Sequence, residues 1–529
     1  MRSTRRTFLA QSAGLTAIPL LARRAFAQAA SDRKTLVIGE STPRHLNPAI
    51  QSGNATALPG AQLFAGLVRF DDKFQPLPDL AQKWELSADK LTYTFHLAEN
   101  AVFHDGKPIT ARDAAFSIET VKASHPLLAV TYGEVVDSAS APDTHTLQIR
   151  MKKPYQGLLY TLVSALAPIL PEHVYGGGSI QTNPANSKPV GSGPFKFVEW
   201  KTGDYIILEK HDKFFRPNRP MMDRLIFKIM EDPLTRVLAL EKGTIDYYPF
   251  PFIHFTDVLR LQKNSKLRVT KNGYEAMGPT NYININVRNP PLNDVRVRQA
   301  LAHAFDKDFI VKSLHHGLSR REDSPLYHAS PFYDQAALKI YKYDVAEANR
   351  LLDAAGLARK GDGMRMQLTL DVPPFHPDSM QLVAQYLKSQ LRRVGIDIVL
   401  RPSTDLADWA NRIGQWNYQL SMDATWNYPD PPIGVNRVYV CGNIKKQIWT
   451  NTEGYCNEQL DKWLAEATSE PDMEKRKKLY AQFQKQVTED LPLIWTNEEP
   501  YTTIYKAELK NIPSGVWGAV APLDEVTRG

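Results

Sequence analysis

Few groups of residues in this chain have the types and spacing to do chemistry, and each can be tested against the chemistry it would need. His104 and Asp105 adjoin in FHDGKPITARDAAFSIE (103–119), a pairing that could move a proton or hold a metal. Neighbours in an extended segment point to opposite faces, which disfavours a dyad. Asp105-Gly106 reads instead as a turn. Thr110 with Asp113 reads as a near capping box, opening a helix whose apolar face is Ala114, Ala115, Ile118 and Val121. Ser87-x-x-Lys90 and Lys201-Thr202-Gly203 match two of the three motifs of a penicillin-recognising serine hydrolase. That chemistry needs the serine to open a helix with the lysine one turn on, whereas WELSADKLTYTF puts Ser87 in a turn between strands. Ser31-Asp32-Arg33 is the nearest approach to the third motif. GSGP (191–194) lacks the ending of a phosphate loop, and Pro194 removes a backbone donor. There is no H-E-x-x-H. His315-His316 falls at a predicted helix end. His376, His328 and Asp323 could together serve a metal chelate. These readings point away from an enzyme and require no cofactor.

The elements that would carry such residues follow from periodicity. LTYTFHL (91–97), HTLQIRMKKP (145–154), GSGPFKFVEW (191–200), YIILEKH (205–211) and RLIFKIM (224–230) read as strands. DPLTRVLALEKGTID (232–246) reads as a helix closed by Gly243, and DVRVRQALAHAFDKDFIVKSLHHG (294–317) as one helix or two. YDVAEANRLLDAAG (343–356) is a helix capped by Asp344, boxed by Glu347 and stopped by Gly356. MRMQLTLDV, SMQLVAQYLKSQLRRVG and IDIVL (364–400) form strand, helix, strand, a βαβ unit that demands parallel pairing. PLIWTNEEPYTTIYKAELKNI (492–512) returns to strand-like sequence. The expected class is α/β, with a β-rich start, an α/β middle and a β return, hence two lobes and two crossings.

With 529 residues, 43% apolar and 23% charged, the composition is that of a globular protein of two to four domains. The first residues, STRRTFLAQSAGLTAIPLLARRAFAQA, read as a twin-arginine export signal (1–27), with Arg5-Arg6, a modest apolar stretch and an Ala25-Phe26-Ala27 cleavage site. Removing its five arginines lowers the formal charge from +7 to +2, which excludes a nucleic-acid-binding balance. No cysteine near the cleavage site could take a lipid anchor, so the expected location is the periplasm. Cys441 and Cys456 are the only cysteines; an even pair in an exported protein suggests a disulfide, and no second pair or nearby histidine completes a metal site.

Several segments also resemble, in order across nearly the whole mature chain, the extracytoplasmic solute-binding proteins of ABC importers, bacterial family 5 (the peptide/nickel class). They are HLNPAI (45–50), LVRFDDKFQPLPDLAQKWELSADKLTYTFHL (67–97), FHDGKPITARD (103–113), PVGSGPFKF (189–197), LEKGTIDYY (240–248), NDVRVRQALAHAFDK (293–307) and YDVAEANRLLDAAG (343–356). The resemblance implies two lobes closing on a ligand. Lobe I would be 28–284 plus 497–529, with an extra subdomain about 76–188; lobe II would be 285–496. Hinge crossings are expected near YININV (282–287) and LIWTNEEP (493–500). It implies a monomer that captures a peptide or other small solute and hands it to inner-membrane permease subunits. MDATWNYPDPPIGVNRVYVC (422–441) is the expected ligand region, with Trp426, Asn427, Tyr428 and Asp430 as candidate contacts, and Tyr282 and Asn284 added from the first crossing. Peptide-binding members carry an aspartate shortly after the tryptophan for the α-amino group; Asn427 stands at that place here, with Asp430 three residues on. Dipeptide binders carry an arginine in the loop that reads DVPPFHPD (371–378) in this chain, and none is present. Opine-like conjugates, oligosaccharides and nickel chelates therefore stand as alternatives to peptides.

Overall fold

The computed structural model describes residues 34–374 and 378–529. The export signal, its cleavage site and His376 lie outside the described residues.

Two large sheets organise the chain. In the seven-stranded sheet the order is Leu267–Thr270, Thr503–Lys506, Tyr247–Pro249, Thr35–Glu40, Arg224–Ile229, Tyr205–Lys210 and Phe195–Lys201. Thr35–Glu40 is buried along its whole length and runs parallel to Arg224–Ile229. A continuous apolar run covered on both faces is what such a central strand requires. The hairpin around Thr202-Gly203-Asp204 pairs as its turn residues predict, with Gly203 at φ 73°. In the six-stranded sheet the order is Arg320–Arg321, Leu493–Glu498, Pro279–Ile285, Leu420–Trp426, Met366–Val372 and Ile396–Pro402. The βαβ unit is formed: Met366–Val372 and Ile396–Pro402 pair in parallel, with helix Val383–Arg393 between them in sequence. A four-stranded sheet, Ala81–Leu86, Thr92–Leu97, Thr146–Met151 and Val136–Ser140, packs against helix Ala111–Ser124 and shares the first core.

The caps largely follow the sequence. Thr110 and Asp113 make a full reciprocal box. Asp344 accepts from the Glu347 amide, but the Glu347 carboxylate turns to Arg350 and leaves that box half-made. The stretch 294–317 breaks after His303, and Asp306 caps a second start.

Each large sheet has its own apolar core. The chain passes from the first sheet to the second through 271–278 and returns through 499–502. YININV and LIWTNEEP, expected at the crossings, pair with each other inside the second sheet, Tyr282 opposite Trp495. The crossings thus fall at the ends of these strands.

Candidate functional site

The residues that opened the sequence reading are engaged in scaffold contacts. His104 and Asp105 diverge. The His104 ring accepts from the Gly191 amide through Nδ1 (3.1 Å) and donates through Nε2 to the Gly193 carbonyl (3.0 Å). Burial pushes its pKa down to about 3, so it stays neutral. Asp105 bonds His173 instead, at 2.7 Å. The glycines of GSGP are there for close approach. A Cβ on Gly191 would lie 1.9 Å from the Leu63 carbonyl oxygen, and one on Gly193 2.5 Å from that of Gln62. Ser87 closes a strand turn, donating to Asp89 and accepting from the Thr92 amide, while Lys201 pairs with Asp204. Asp323 is held by Lys307 and Arg321, and His328 by Glu498. No cluster of three metal-ligating side chains occurs among the described residues.

A cavity of about 640 Å³ opens between the lobes. One wall is the stretch 42–56 that follows the central strand of the first sheet; the other comes from the second lobe, with Ala424–Trp426, Tyr428, Arg437 and Trp449. Trp426 ends the strand Leu420–Trp426, and its Nε1 donates to the Tyr501 hydroxyl (3.2 Å) on the return crossing. Tyr428 and Trp449 both adopt φ 58°, a left-handed conformation that bulky residues reach only when surrounding contacts enforce it. The contacts are visible. The Tyr428 amide bonds the Met277 carbonyl, and Trp449 lies in the loop closed by the Cys441–Cys456 disulfide. Flat aromatic walls of this kind suit a small organic solute.

The other candidate residues are spent on internal partners. Asn427 is buried; its Oδ1 accepts from the Tyr327 amide (3.1 Å), and its Nδ2 donates to the Gly278 carbonyl and the Thr280 hydroxyl (3.2 Å each). Asp430 is fully buried against Arg476 at 2.8 Å. Burial raises its carboxyl pKa, and the Arg476 guanidinium opposes the rise. Tyr282 lies in the second core. Asn284 ties the disulfide loop to the sheet, donating to Thr452 (3.1 Å) and accepting from Tyr418 (3.0 Å). Behind Trp449, burial pushes Asp423 up to about 7, against hydrogen bonds from the Ala424 amide, Trp449 and Tyr282.

Sequence reasoning did not single out Arg44, Arg437, Trp449 or the 51–56 segment. A signal existed for two of them: Trp449 lies between the two cysteines, and Arg437 lies four residues before the first.

Comparison with known proteins places these features in a family. A model described as bacterial extracellular solute-binding proteins, family 5 Middle, matches residues 75–446. A Brucella ovis protein with a provisional ABC transporter peptide-binding name is 31% identical over 364 residues, 68% of this chain; the match spans 66% of the relative's length. The dipeptide-binding protein of Escherichia coli is 26% identical over 486 residues, 87% of this chain and 88% of that one. Among solved structures, NikZ of Campylobacter jejuni in complex with Ni(L-His) superposes with a TM-score of 0.79 at 26% identity, covering 94% of this chain and all of the other. With a two-lobed fold, a cavity between the lobes and a family model spanning most of its length, the chain belongs to the bacterial extracellular solute-binding proteins of family 5.

Proposed function

We propose that the protein is the solute-capturing component of an ABC importer, holding a peptide or peptide-like solute between its lobes and presenting it to inner-membrane permease subunits. The observation that carries this reading is the 640 Å³ cavity with walls from both lobes. A ligand there touches both at once, so binding favours the closed arrangement that a permease can read. The E. coli relative named as a dipeptide-binding protein supports the solute class. Trp426 and Tyr428 touch the solute; Asn427, Asp430, Tyr282 and Asn284 hold the elements behind them. The lobes divide at 271–278 and 499–502. The protein works as a monomer in the periplasm after twin-arginine export and cleavage near Ala27, and it performs no chemistry on its cargo.

The test is a thermal-shift screen of the chain from Gln28 onward, unfolded and refolded to strip bound solute, against di- to pentapeptides, opines, oligosaccharides and nickel–histidine chelates. A ligand at ~100 times its dissociation constant adds ~2.7 kcal/mol, a rise of several degrees. Peptides are expected to give that rise. A rise with the chelates or sugars alone overturns the peptide reading.

A further inference from the structure

The cavity is one-sided in charge. Arg44 and Arg437 are its only charged lining residues among those described, one from each lobe, and no aspartate or glutamate lines it. Of the nearby acids, Glu231 is bonded to Thr42 and Asp408 is paired with Arg412; Asp423, buried and bonded by Trp449, Tyr282 and the Ala424 amide, is the one whose charge reaches Arg437, and burial holds that carboxyl up to about 7. Arg437 is half-buried and spends Nε on the Gly434 carbonyl (3.1 Å). Its terminal nitrogens have no hydrogen-bond or ion-pair partner among the described residues, and the residue lines the cavity. Arg44 is exposed and likewise has no ion-pair partner among the described residues. Desolvation makes the half-buried Arg437 cation costly to hold, and a ligand anion beside it relieves that cost.

A further donor set points the same way. The helix Asn54–Leu63 starts at the cavity, and Gly53, Asn54, Ala55 and Thr56 all line it. First-turn amides have no intrahelical acceptor. Here no side chain caps them, because the N-cap residue is Gly53 at φ 112°. Free amides and the positive end of the helix dipole favour an anion.

We propose that the cleft selects solutes through a carboxylate, gripped between the 53–56 helix start with Arg44 on one lobe and Arg437 on the other, and requires no ammonium group on the solute. The inference rests on the peptide-capture reading and names the group that reading leaves open. It also gives closure a physical switch. Like charges carried by the two walls of one cleft repel, and a bound carboxylate turns that repulsion into attraction to both lobes.

The experiment uses the refolded full mature chain and a matched peptide library. Every carboxylate, at the C-terminus or on an Asp or Glu side chain, is also present as its carboxamide, and every amino terminus also as its N-acetyl form. Affinities are measured by calorimetry for all members that raise the melting point. The expected result is a loss of about tenfold or more when the gripped carboxylate becomes an amide, and little change on N-acetylation, since one charge-assisted pair commonly carries that much. Arg437→Met should abolish the acid-over-amide preference. Arg44→Gln, at an exposed position with no internal partner to lose, should reduce it without lowering the unliganded melting point. Carboxamides that bind as tightly as their acids, or binding lost on N-acetylation, would overturn the carboxylate proposal and leave peptide capture standing. Stabilisation by no library member would overturn the peptide reading and this inference with it.

Discussion

Asn427 is held by bonds that need both halves of its amide: an acceptor for the Tyr327 amide and a donor for the Gly278 carbonyl. Restoring an aspartate at this position, Asn427→Asp, would aim a carboxylate at that carbonyl and lose the donor. The expected cost is ~1–3 kcal/mol of stability, the range for an unsatisfied buried polar group, with no gain in affinity for free dipeptides. Thermal denaturation and calorimetry check both halves; a variant that melts like the parent and binds dialanine more tightly would restore position 427 as an ammonium anchor. Asp430→Asn should cost more, ~3–5 kcal/mol, because it leaves Arg476 buried without its partner. Asp430→Asn with Arg476→Met should recover much of the loss, and a double variant no better than the single would show that the pair does not act as a unit. These two positions also mark the limit of what the sequence told about the site. The aromatic pair Trp426 and Tyr428 was legible as a potential wall because exposed aromatics beside polar residues are pocket material. For Asn427 and Asp430, a polar side chain that will face a solute and one that will face Gly278 or Arg476 look alike in one dimension. The difference is set by elements 46 or more residues away.

At the scale of elements, the loop closed by Cys441 and Cys456 carries the aromatic wall. Trp449 projects from it into the cavity, and its far end is pinned by Asn284 to Thr452. Cys441→Ser with Cys456→Ser releases a constraint worth ~3 kcal/mol for a loop of about 15 residues in the chain-entropy model. It also frees Trp449 from its enforced left-handed backbone. The expected outcome is a lower melting point together with weaker solute binding, read by calorimetry and by ligand-induced tryptophan fluorescence. Lower stability with unchanged affinity would show that the loop staples the lobe without shaping the cleft. Elements of this kind were readable to different depths. Thr110 and Asp344 announced helix starts because capping is local chemistry. The βαβ unit at 364–400 was readable because a helix between two strand patterns is the long crossover that parallel pairing needs. The crossings were not. YININV is buried on both faces and alternates no differently whether it leaves a sheet or lies in the middle of one, and only its pairing with Leu420–Trp426 and Leu493–Glu498 decides.

Across the whole molecule, buried titratable groups set opposing pH dependences. Burial pushes His104 and His125 down to about 3, from 6.5. Both accept backbone amides through Nδ1, so protonating them also breaks those bonds. Their folded-state pKa lies below the unfolded value, so their neutral burial costs nothing above pH 6.5, and below it each loses ~1.4 kcal/mol per pH unit. Burial pushes Glu40 up to about 8 from 4.5, and Asp423 up to about 7 from 3.8. These carboxyls are protonated in the folded state, and the stability they retain below their unfolded pKa is lost as pH rises through 4.5 and on to 8. Between pH 4.5 and 6.5 the unfolded chain gains two histidine protons and the folded chain keeps two carboxyl protons. The acid side of the two histidines and the alkaline side of the two carboxyls therefore nearly cancel, and stability is flat. Below that window the histidines act unopposed, and above it the carboxyls do. Burial also moves Glu453 and Glu322 up and His45 and His211 down, adding two groups to each side of that balance. Denaturant midpoints measured from pH 3.5 to 8.5 should thus show a plateau between about 4.5 and 6.5 and a decline on both sides. His104→Gln with His125→Gln should shift the acid limb to lower pH and leave the alkaline limb in place. A midpoint that keeps rising from pH 6.5 to 8.5 would mean that Glu40 and Asp423 are ionised in the folded protein. Asp423 would then carry its full negative charge below pH 7 as well, offsetting Arg437 and weakening the one-sided positive character of the cleft.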